Sequence, residues 1–351
     1  MKKNIAIVAG GYSSEFEVSL RSAENLYAFI DKEKYNAYIV VLKKDAWEAI
    51  NNYELRITKQ RSAVANYETG ETEEAGETGK MKTFPIDKNN FSFRQGNTTV
   101  GFDFAYITIH GTPGEDGLLQ GYFDMIGIPY STCGVLSSAL SFNKFACNQF
   151  LHSYGIVVSD SMLIREDQSV CPDRIVEQLG LPVFVKPSNS GSSFGVSKVK
   201  EVAQMQVAVE KAFREGSEVM IERFIPGVEF TCGCYQSKDK IIVFPVTEII
   251  PKNDFFDYEA KYNGKVQEIT PARISDELTG KIQHETEKIY KLIGAHGIIR
   301  VDYIVPPDEI PVLLEINTIP GMTATSFIPQ QVQAAGLNMK EILTEIIEGT
   351  S

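Results

Sequence analysis

The chain has 351 residues, of which 43% are hydrophobic and 23% are charged, so it can form two or three domains with sizeable cores. Its formal net charge of −12, from 34 Lys and Arg against 46 Asp and Glu, excludes the basic surface typical of proteins that bind nucleic acids or anionic membranes. No stretch approaches a transmembrane span, and the five cysteines lack metal-binding spacing and are odd in number. These features predict a cytoplasmic protein with no nucleic-acid partner and no membrane insertion.

The N-terminal part of the chain follows a β–α–β pattern. Strands are predicted at Asn4–Ala9, Tyr38–Leu42 and Phe104–Ile109, with a helix beginning near Glu15. This pattern is typical of an open α/β domain with a parallel sheet. Between about residues 53 and 96 the pattern lapses into an acidic stretch, which we interpret as a surface insertion.

The whole chain is predicted to form three domains, at residues 1–131, 132–226 and 227–351. The first is of the α/β class, and the other two mix helices and strands as in α+β proteins. In the third domain, helical spacing of apolar residues predicts helices at Asp276–Ile293 and Met339–Glu348.

The most informative motif is a predicted antiparallel hairpin in the third domain. A turn centred on residues 306–309 places Asp302 opposite Glu315 and Arg300 opposite Asn317, and the period of two puts all four side chains on one face. Directly opposed carboxylates destabilise a sheet, so we expect a divalent cation held by both carboxylates and the Asn317 carbonyl. The alternative is a one-residue bulge that sends one acid to solvent.

A Gly- and Ser-rich loop, residues 188–195, follows an apolar strand that ends in Lys186. Such a loop can direct backbone N–H groups at an anion, although a plain turn remains the alternative. A buried Lys186 ammonium needs an anion, and phosphate is a natural partner. Beyond the next strand, Glu222 and Glu229 could accept hydrogen bonds from an adenine amino group and a ribose hydroxyl, or they could be ordinary exposed acids.

Two N-terminal loops lie where open α/β sheets place ligands. Ser14 and Glu17 fit a capping box, which leaves Glu15 to face the crevice above the sheet as a counter-charge for a substrate ammonium. Glu15 could instead only favour the helix dipole. The loop that begins at His110 contains three glycines and could bind a ligand or merely connect two elements.

A long aromatic-rich loop, residues 253–262, lies between two predicted strands. Loops of this length in compact domains are usually functional or disordered, and the aromatic residues argue against disorder. Lys261 and Tyr262 at its end are therefore candidates for a lid that shields a reactive intermediate from water.

Six segments of the chain match the motifs of one family in order. They are G-G-Y-S-S-E-F-E-V-S-L, H-G-T-P-G-E-D-G-L-L-Q-G, V-K-P-S-N-S-G-S-S-F-G-V, F-D-Y-E-A-K-Y, R-V-D and L-L-E-I-N-T-I-P-G-M-T. They lie between residues 10 and 323, and the sequence resembles the D-alanine–D-alanine ligases of the ATP-grasp superfamily from residue 10 to about residue 336. The resemblance implies a three-domain ATP-grasp fold and ligation of two D-alanine molecules for bacterial cell-wall precursors. It also implies ATP as co-substrate, two Mg²⁺ ions with Mn²⁺ as an alternative, and a homodimer.

The resemblance assigns roles to individual residues of this chain. It assigns ATP binding to Lys144, Lys186, Ser192, Ser193, Glu222, Glu229 and Lys261. It assigns metal binding to Asp302, Glu315 and Asn317. It assigns catalysis to Glu15, Ser192, Tyr262 and Arg300, and substrate binding to Glu15, His110, Gly321 and Ser326.

The same resemblance bears on the choice of acceptor. In the family, a Tyr at the position of Tyr262 goes with the dipeptide product and a Phe goes with D-alanyl-D-lactate, so we expect D-alanyl-D-alanine here. Two residues depart from the family pattern, because Phe256 stands where Tyr is frequent and Phe327 where a smaller aliphatic residue is common. The alternatives are a D-lactate or D-serine ligase and a non-catalytic nucleotide-binding relative.

Overall fold

The structure is a computed structural model that describes residues 2–50, 83–189, 194–238, 240–251 and 266–349. Its strands are β1 (Lys3–Gly10), β2 (Tyr35–Leu42), β3 (Trp47–Ile50), β4 (Thr83–Asp87), β5 (Ser92–Gln95), β6 (Thr98–Gly101), β7 (Phe104–Ile107), β8 (Ser161–Arg165), β9 (Val183–Pro187), β10 (Ser197–Val199), β11 (Glu218–Arg223), β12 (Val228–Ser237), β13 (Lys240–Val243), β14 (Thr247–Pro251), β15 (Val266–Ile269), β16 (Ile298–Val305) and β17 (Val312–Asn317). Its helices are α1 (Phe16–Phe29), α2 (Leu118–Ile126), α3 (Val135–Phe142), α4 (Lys144–His152), α5 (Pro172–Leu179), α6 (Met205–Phe213, preceded by the 3₁₀ turn Val202–Gln204), α7 (Asp276–Leu292), α8 (Phe327–Ala334) and α9 (Met339–Gly349).

The first sheet has the strand order β6-β5-β4-β3-β2-β1-β7. Strand β1 runs parallel to β2 and β7, as predicted, whereas β3 to β6 extend the sheet in antiparallel fashion. Strands β4 to β6 lie in the stretch that we interpret as a surface insertion, and this part of the chain buries Phe84, Ile86, Phe91 and Phe93. From residue 83 onward the stretch is therefore an ordered extension of the first sheet, and its earlier part lies outside the described residues. Its interpretation as an insertion stays a prediction.

The turn from β1 to α1 carries Glu15 over the sheet. Gly11 has a φ of 99°, and a Cβ there would lie 2.4 Å from Ile109, so this turn requires glycine. Helix α1 begins at Phe16 with Glu15 as its N-cap and has no side-chain capping hydrogen bond. The predicted capping box is therefore wrong, because the helix begins one residue too late for Ser14 to cap it.

The second sheet is antiparallel, with the order β10-β9-β11-β8, and the third has the order β15-β14-β12-β16-β17 with β13 paired to β12. Strand β12 alternates between two environments because successive side chains point to opposite faces. Phe230, Cys232 and Cys234 pack on the α7 side, as expected for buried packing cysteines. The opposite face carries Glu229 and Thr231, and it forms part of the candidate site described below.

The C-terminal helix α9 completes the core of the first sheet. Its apolar side chains, including Leu343 and Ile347, belong to one buried cluster with Leu26 of α1 and Ile39 of β2. At the rim of this contact, Glu348 pairs with Lys34 at 3.2 Å. The two ends of the chain therefore share one hydrophobic core.

A buried glutamine fixes helix α8 to the third sheet. The Gln331 amide donates to the Thr231 carbonyl and the Thr247 hydroxyl, each at 3.0 Å, and accepts from the Gly233 N–H at 3.0 Å. Gln331 is fully buried. Because Ser326 is the N-cap residue of α8, these three hydrogen bonds also set the position of the loop before the helix.

Replacement of Gln331 by Leu should lower the free energy of unfolding by about 3 kcal/mol, since it leaves buried backbone groups without partners. Denaturant unfolding monitored by circular dichroism measures this loss. The Gln333→Leu variant, on the exposed side of the same helix, is the matched control and should change little. Equal stability of the two variants would contradict the positioning role of Gln331.

Candidate active site

A cavity of about 410 Å³ lies between α1, the loop after β7, the start of α4, strand β17 and the loop before α8. Among the described residues, its carboxylates belong to Glu15, Glu115, Glu268 and Glu315. Its cations belong to Arg21, Lys144 and Arg300. The cavity therefore collects both signs of charge, as expected of a site for zwitterionic and anionic ligands.

The predicted hairpin register is confirmed at its chemically important end. Arg300 pairs with Asn317 and Asp302 pairs with Glu315, so all four side chains share one face. The register shifts by one residue between Asp302 and Tyr303. This bulge lies on the turn side of the acids, so it leaves the two carboxylates opposed and does not send one of them to solvent.

The Asp302 carboxylate is held by three protein groups. Arg300 donates from Nε to Oδ1 and from Nη2 to Oδ2, both at 2.8 Å, which is the bidentate arrangement that Arg favours with carboxylates. Thr231 donates to Oδ1 at 2.5 Å, and Asn317 donates to Oδ2 at 3.0 Å. Asp302 is only 6% exposed. The burial of this charge is therefore compensated within the protein.

The opposing carboxylate, Glu315, lies 3.4 Å from the Lys144 ammonium. Lys144 is the first residue of α4, whose N-cap Asn143 accepts a hydrogen bond from the Ala146 N–H. From the sequence, we expect a metal ion to offset the repulsion between the two acids. The structure corrects this point, because Arg300 and Lys144 already offset both negative charges.

The residues of the hairpin fit a hard divalent cation by the chemistry of their donor atoms. Such ions prefer carboxylate and amide oxygens, which Asp302, Glu315 and Asn317 supply. Glu315 and Asn317 line the cavity, whereas Asp302 is not part of its lining and is bound by Arg300. Within the described ranges no group of three or more His, Cys, Asp or Glu side chains is arranged for a metal ion, so the amide is needed to complete the set.

The predicted nucleotide-binding lysine has a protein partner. The Lys186 ammonium lies 2.7 Å from the Glu222 carboxylate, and both side chains are largely buried. The anion beside Lys186 in the structure is therefore the Glu222 carboxylate, and the expected contact between Lys186 and phosphate stays a prediction. Lys186 and Glu222 both belong to the second sheet. Glu229 lies on β12, on the same face as Thr231. Lys186, Glu222 and Glu229 are not among the residues that line the cavity.

Four of the residues predicted for the site lie outside the described part of the chain. They are Ser192, Ser193, Lys261 and Tyr262.

His110 and Glu15 meet on the N-terminal side of the cavity. Burial lowers the pKa of His110, and the charge of Arg300 lowers it further. The Glu15 carboxylate and the Ile319 carbonyl act in the opposite direction, but the pKa remains below its ordinary value. Within the described structure, the buried His110 Nε2 has no hydrogen-bond partner. A neutral imidazole that lines the cavity with an unpaired nitrogen can therefore bind a polar group of a ligand.

Gly321 and Ser326 lie in the cavity wall before α8. The Ser326 Oγ accepts from the Thr323 N–H at 3.1 Å and shares a hydrogen bond of 2.7 Å with the Thr323 hydroxyl. A Cβ at residue 321 would lie 2.9 Å from the Ser326 Oγ, so glycine allows this loop its tight conformation. Both predicted substrate-binding residues thus face the same space.

Sequence reasoning missed three charged residues of the cavity: Glu115, Arg21 and Glu268. Glu115 belongs to the H-G-T-P-G-E-D-G segment, which could have revealed it. Arg21 follows Glu15 by six residues on α1, a spacing that could also have pointed to it. Glu268 accepts from the Gln330 amide at 2.6 Å, and no local motif announces it.

Burial raises the pKa of Glu115 to about 7; Glu15 and Glu315 add to this, whereas the Gly111 N–H and Lys144 oppose it. Since the pKa of Glu115 is higher in the folded state than in the unfolded state, the native state binds more protons between the two pKa values. The resulting contribution to stability is lost as the pH rises towards 7.

The Glu115→Gln variant should therefore lose less unfolding free energy than the wild type between about pH 5 and pH 8. Denaturant titrations at several pH values measure how the unfolding free energy changes with pH, and Glu166→Gln, at an exposed position, is the control. The same pH dependence in the wild type and in Glu115→Gln would refute this role of Glu115.

Comparison with known proteins bears on the identity of this site. Residues 4–133 match the family model described as the D-ala D-ala ligase N-terminus, and residues 150–348 match the one described as the D-ala D-ala ligase C-terminus. The D-alanine–D-alanine ligases of Parabacteroides distasonis and Bacteroides fragilis are 57% and 56% identical to the chain over 348 residues. These alignments cover 99% of this chain in both cases, and 97% and 99% of the two relatives.

A solved structure gives the same result for the fold. The D-Ala:D-Ser ligase VanG from Enterococcus faecalis is 32% identical, has a TM-score of 0.85, and is covered completely in both directions. The protein therefore has the fold of the ATP-grasp ligases, which confirms the predicted fold class. The chain belongs to the D-alanine–D-alanine ligase family.

Proposed function

We propose that the chain joins two D-alanine molecules to D-alanyl-D-alanine for peptidoglycan precursors, with cleavage of ATP to ADP and phosphate. The observation that carries this proposal is the single cavity that brings Glu15, His110, Lys144, Arg300 and Glu315 together. Such a ligation requires an acid that binds an ammonium group, cations that bind phosphate and carbonyl oxygens, and a site for a metal ion. The cavity offers a candidate for each.

The reaction needs ATP because a carboxylate is a poor electrophile. In the proposed first step the carboxylate of one D-alanine attacks the terminal phosphate of ATP, so that an acylphosphate forms and ADP leaves. The amine of the second D-alanine then attacks the acyl carbon, and phosphate leaves. Holding both amino acids in one cavity supplies an orientation effect of up to about 7–11 kcal/mol.

We assign the nucleotide to the side of the cavity that Lys144 borders. Lys144 already compensates Glu315, and Lys186 already compensates Glu222, so both ammonium groups are held in place before a nucleotide arrives. Preorganised cations of this kind favour phosphate binding. Glu222 and Glu229 remain our candidates for the adenosine contacts, with Ser192, Ser193 and Lys261 for the phosphates.

We assign Mg²⁺ to Asp302, Glu315 and Asn317, with two ions and Mn²⁺ as a substitute. When bound, such ions supply neutralisation of the phosphate charge during phosphoryl transfer. The protein's own contribution is a fixed edge of β16 and β17, which sets the two carboxylates opposite each other.

Arg300 is the proposed stabiliser of the negative charge that develops on the carbonyl oxygen. Burial would lower the pKa of its guanidinium, but Asp302, Glu315 and Glu115 outweigh this effect and raise it. The guanidinium is therefore always charged. Its carbon lies 5.3 Å from the centre of the Phe327 ring, and its Nε and Nη2 atoms bind Asp302. These contacts fix its orientation, and we propose that the Gly321 backbone assists it.

We place the first D-alanine near Glu15, which would pair with its ammonium, with Ser192 and Tyr262 as further contacts. The unpaired Nε2 of His110 offers a further hydrogen bond on this side. The second D-alanine would lie toward Ser326, whose hydroxyl faces its carboxylate. The lid role of residues 253–262 stays a prediction, because these residues lie outside the described ones.

A direct assay tests the proposed function and its nearest alternatives. ADP release and product mass are measured with D-alanine alone and with D-serine, D-lactate or L-alanine as second substrate. We expect D-alanyl-D-alanine as the main product. D-alanyl-D-lactate or D-alanyl-D-serine in excess would favour a sister ligase, and ADP release that ignores D-alanine would favour a non-catalytic relative.

We also propose a homodimer in the bacterial cytoplasm. Support comes from the family resemblance and from exposed apolar side chains on the neighbouring helices α2 and α3, namely Leu118, Met125 and Leu136. Light scattering should give about twice the chain mass of 39.0 kDa. Among the described helices none is long and apolar enough to cross a membrane.

The domain boundaries remain proposals at residues 131/132 and 226/227. Each of the three sheets falls within one proposed domain, since their strands occupy residues 3–107, 161–223 and 228–317. Limited proteolysis would test these boundaries.

A further inference from the structure

Arg21 is a cation of the cavity wall that the mechanism above does not use. The other two cations of the wall have carboxylate partners, because Lys144 lies beside Glu315 and Arg300 binds Asp302. Within the described part of the chain, Arg21 has no ion pair and no side-chain hydrogen bond. A guanidinium at a ligand cavity without an internal carboxylate is suited to the carboxylate of a ligand.

Helix α1 presents a row of three side chains to this cavity. Glu15, Val18 and Arg21 follow at intervals of three residues, and all three line the cavity. Glu15 and Arg21 are separated by about 9 Å along the helix axis, at a rise of 1.5 Å per residue. An extended dipeptide spans about 7 Å. The row is therefore long enough to place an acid at the amino end of a dipeptide and a cation at its carboxyl end.

The loop before α8 is attached to α1 beside Arg21. The Met322 N–H donates to the Ser22 hydroxyl at 3.2 Å, and the Asn25 amide donates to the Met322 carbonyl at 2.6 Å. This loop also carries Ser326. Arg21 and Ser326 therefore line one cavity, Arg21 from the helix and Ser326 from the loop that is attached to this helix.

We propose that Arg21 binds the carboxylate of the second D-alanine, together with Ser326. Arg21 is thereby a specificity-determining residue, which selects acceptors that carry a free carboxylate next to their amine. This inference rests on the proposed function, and it assigns Glu15 at the N-cap of α1 and Arg21 in the second turn to opposite ends of the dipeptide product.

The test compares wild type with Arg21→Met, which removes the charge and keeps most of the aliphatic stem. Calorimetric titration measures binding of D-alanyl-D-alanine and of D-alanyl-D-alaninamide, which lacks the carboxylate charge. We expect Arg21→Met to bind the free acid about tenfold more weakly, the usual scale of one charge-assisted hydrogen bond, and the amide as the wild type does. Arg21→Lys should lose less. Arg94→Met, an exposed arginine of β5, is the control for the change in net charge.

Steady-state kinetics provide the second readout. Arg21→Met should raise the KM for the second D-alanine by about the same factor, while the KM for ATP stays unchanged. Equal weakening of the acid and the amide would mean a distorted helix and would overturn the proposal, as would unchanged binding of both. Failure of the proposed function is a separate result, because the wild type itself would then form no dipeptide.

Discussion

Replacing Glu315 by Gln should lower the rate of ADP release by about 10²–10³-fold and leave the fold intact. The substitution removes one of the two anionic oxygen donors of the candidate metal site and the partner of Lys144. Stabilisation of the phosphoryl-transfer step is then lost on the scale of several kcal/mol. A coupled assay of ADP release over a range of Mg²⁺ concentrations measures both the rate and the metal requirement.

The stability of the same variant separates this role from a structural one. Glu315 lies directly opposite Asp302, so its neutralisation relieves a repulsion between like charges, but it also takes a charged partner from Lys144. Because these two effects oppose each other, we expect a Tm close to that of the wild type. The matched control is Glu277→Gln, an exposed acid on α7 that pairs with Lys281 at 2.9 Å. Wild-type turnover in Glu315→Gln would remove the metal assignment.

The Arg300→Lys variant should also lose about 10²–10³-fold in turnover, although it keeps the positive charge. A lysine ammonium cannot reproduce the two parallel hydrogen bonds to Asp302, so the charge is no longer held in one orientation. The unfolding free energy should fall by about 1–3 kcal/mol, because a buried carboxylate loses part of its partner.

The chain contains a close control for this substitution. Arg273 makes the same two-pronged contact with Glu248, at 3.0 Å and 2.9 Å, but its side chain is 62% exposed. Arg273→Lys should therefore change stability and turnover little, since exposed ion pairs contribute at most about 1 kcal/mol. If Arg300→Lys behaves like Arg273→Lys, Arg300 has no role in catalysis.

The hairpin shows what the sequence could predict about this site. Two apolar strands around a turn signal predict which residues share a face, and this prediction holds for Asp302 and Glu315. The bulge beyond Asp302 follows from no local pattern. The partners of the acids were also hidden, because Lys144 and Thr231 come from elements that are distant in the chain.

Lys186 shows a second limit of prediction from the sequence. The sequence indicates a buried ammonium at a strand end and therefore an anion beside it. Which anion it is depends on the register between β9 and β11, which brings Glu222 within 2.7 Å. Non-local strand pairing of this kind is invisible to an argument from spacing along one segment.

Among the elements, the long amphipathic helices were predicted best and the short strands worst. The helix expected at Asp276–Ile293 is found at Asp276–Leu292, because many apolar positions repeat its period. A strand of four or five residues, such as Ser92–Gln95, contains too few alternating apolar and polar residues to be recognised next to an acidic, irregular stretch of sequence. Their buried aromatic residues become informative only once the neighbouring strands are known.

The packing of α9 against α1 and β2 has a consequence for biosynthesis. Ribosomes release a polypeptide from its amino end, and domains commonly fold as they emerge. Here the core of the first sheet awaits Leu343 and Ile347, which follow all the described strands in the sequence. This core is therefore completed only after the strands of all three sheets have been made, and a stop codon that removes α9 would harm the part of the enzyme made first.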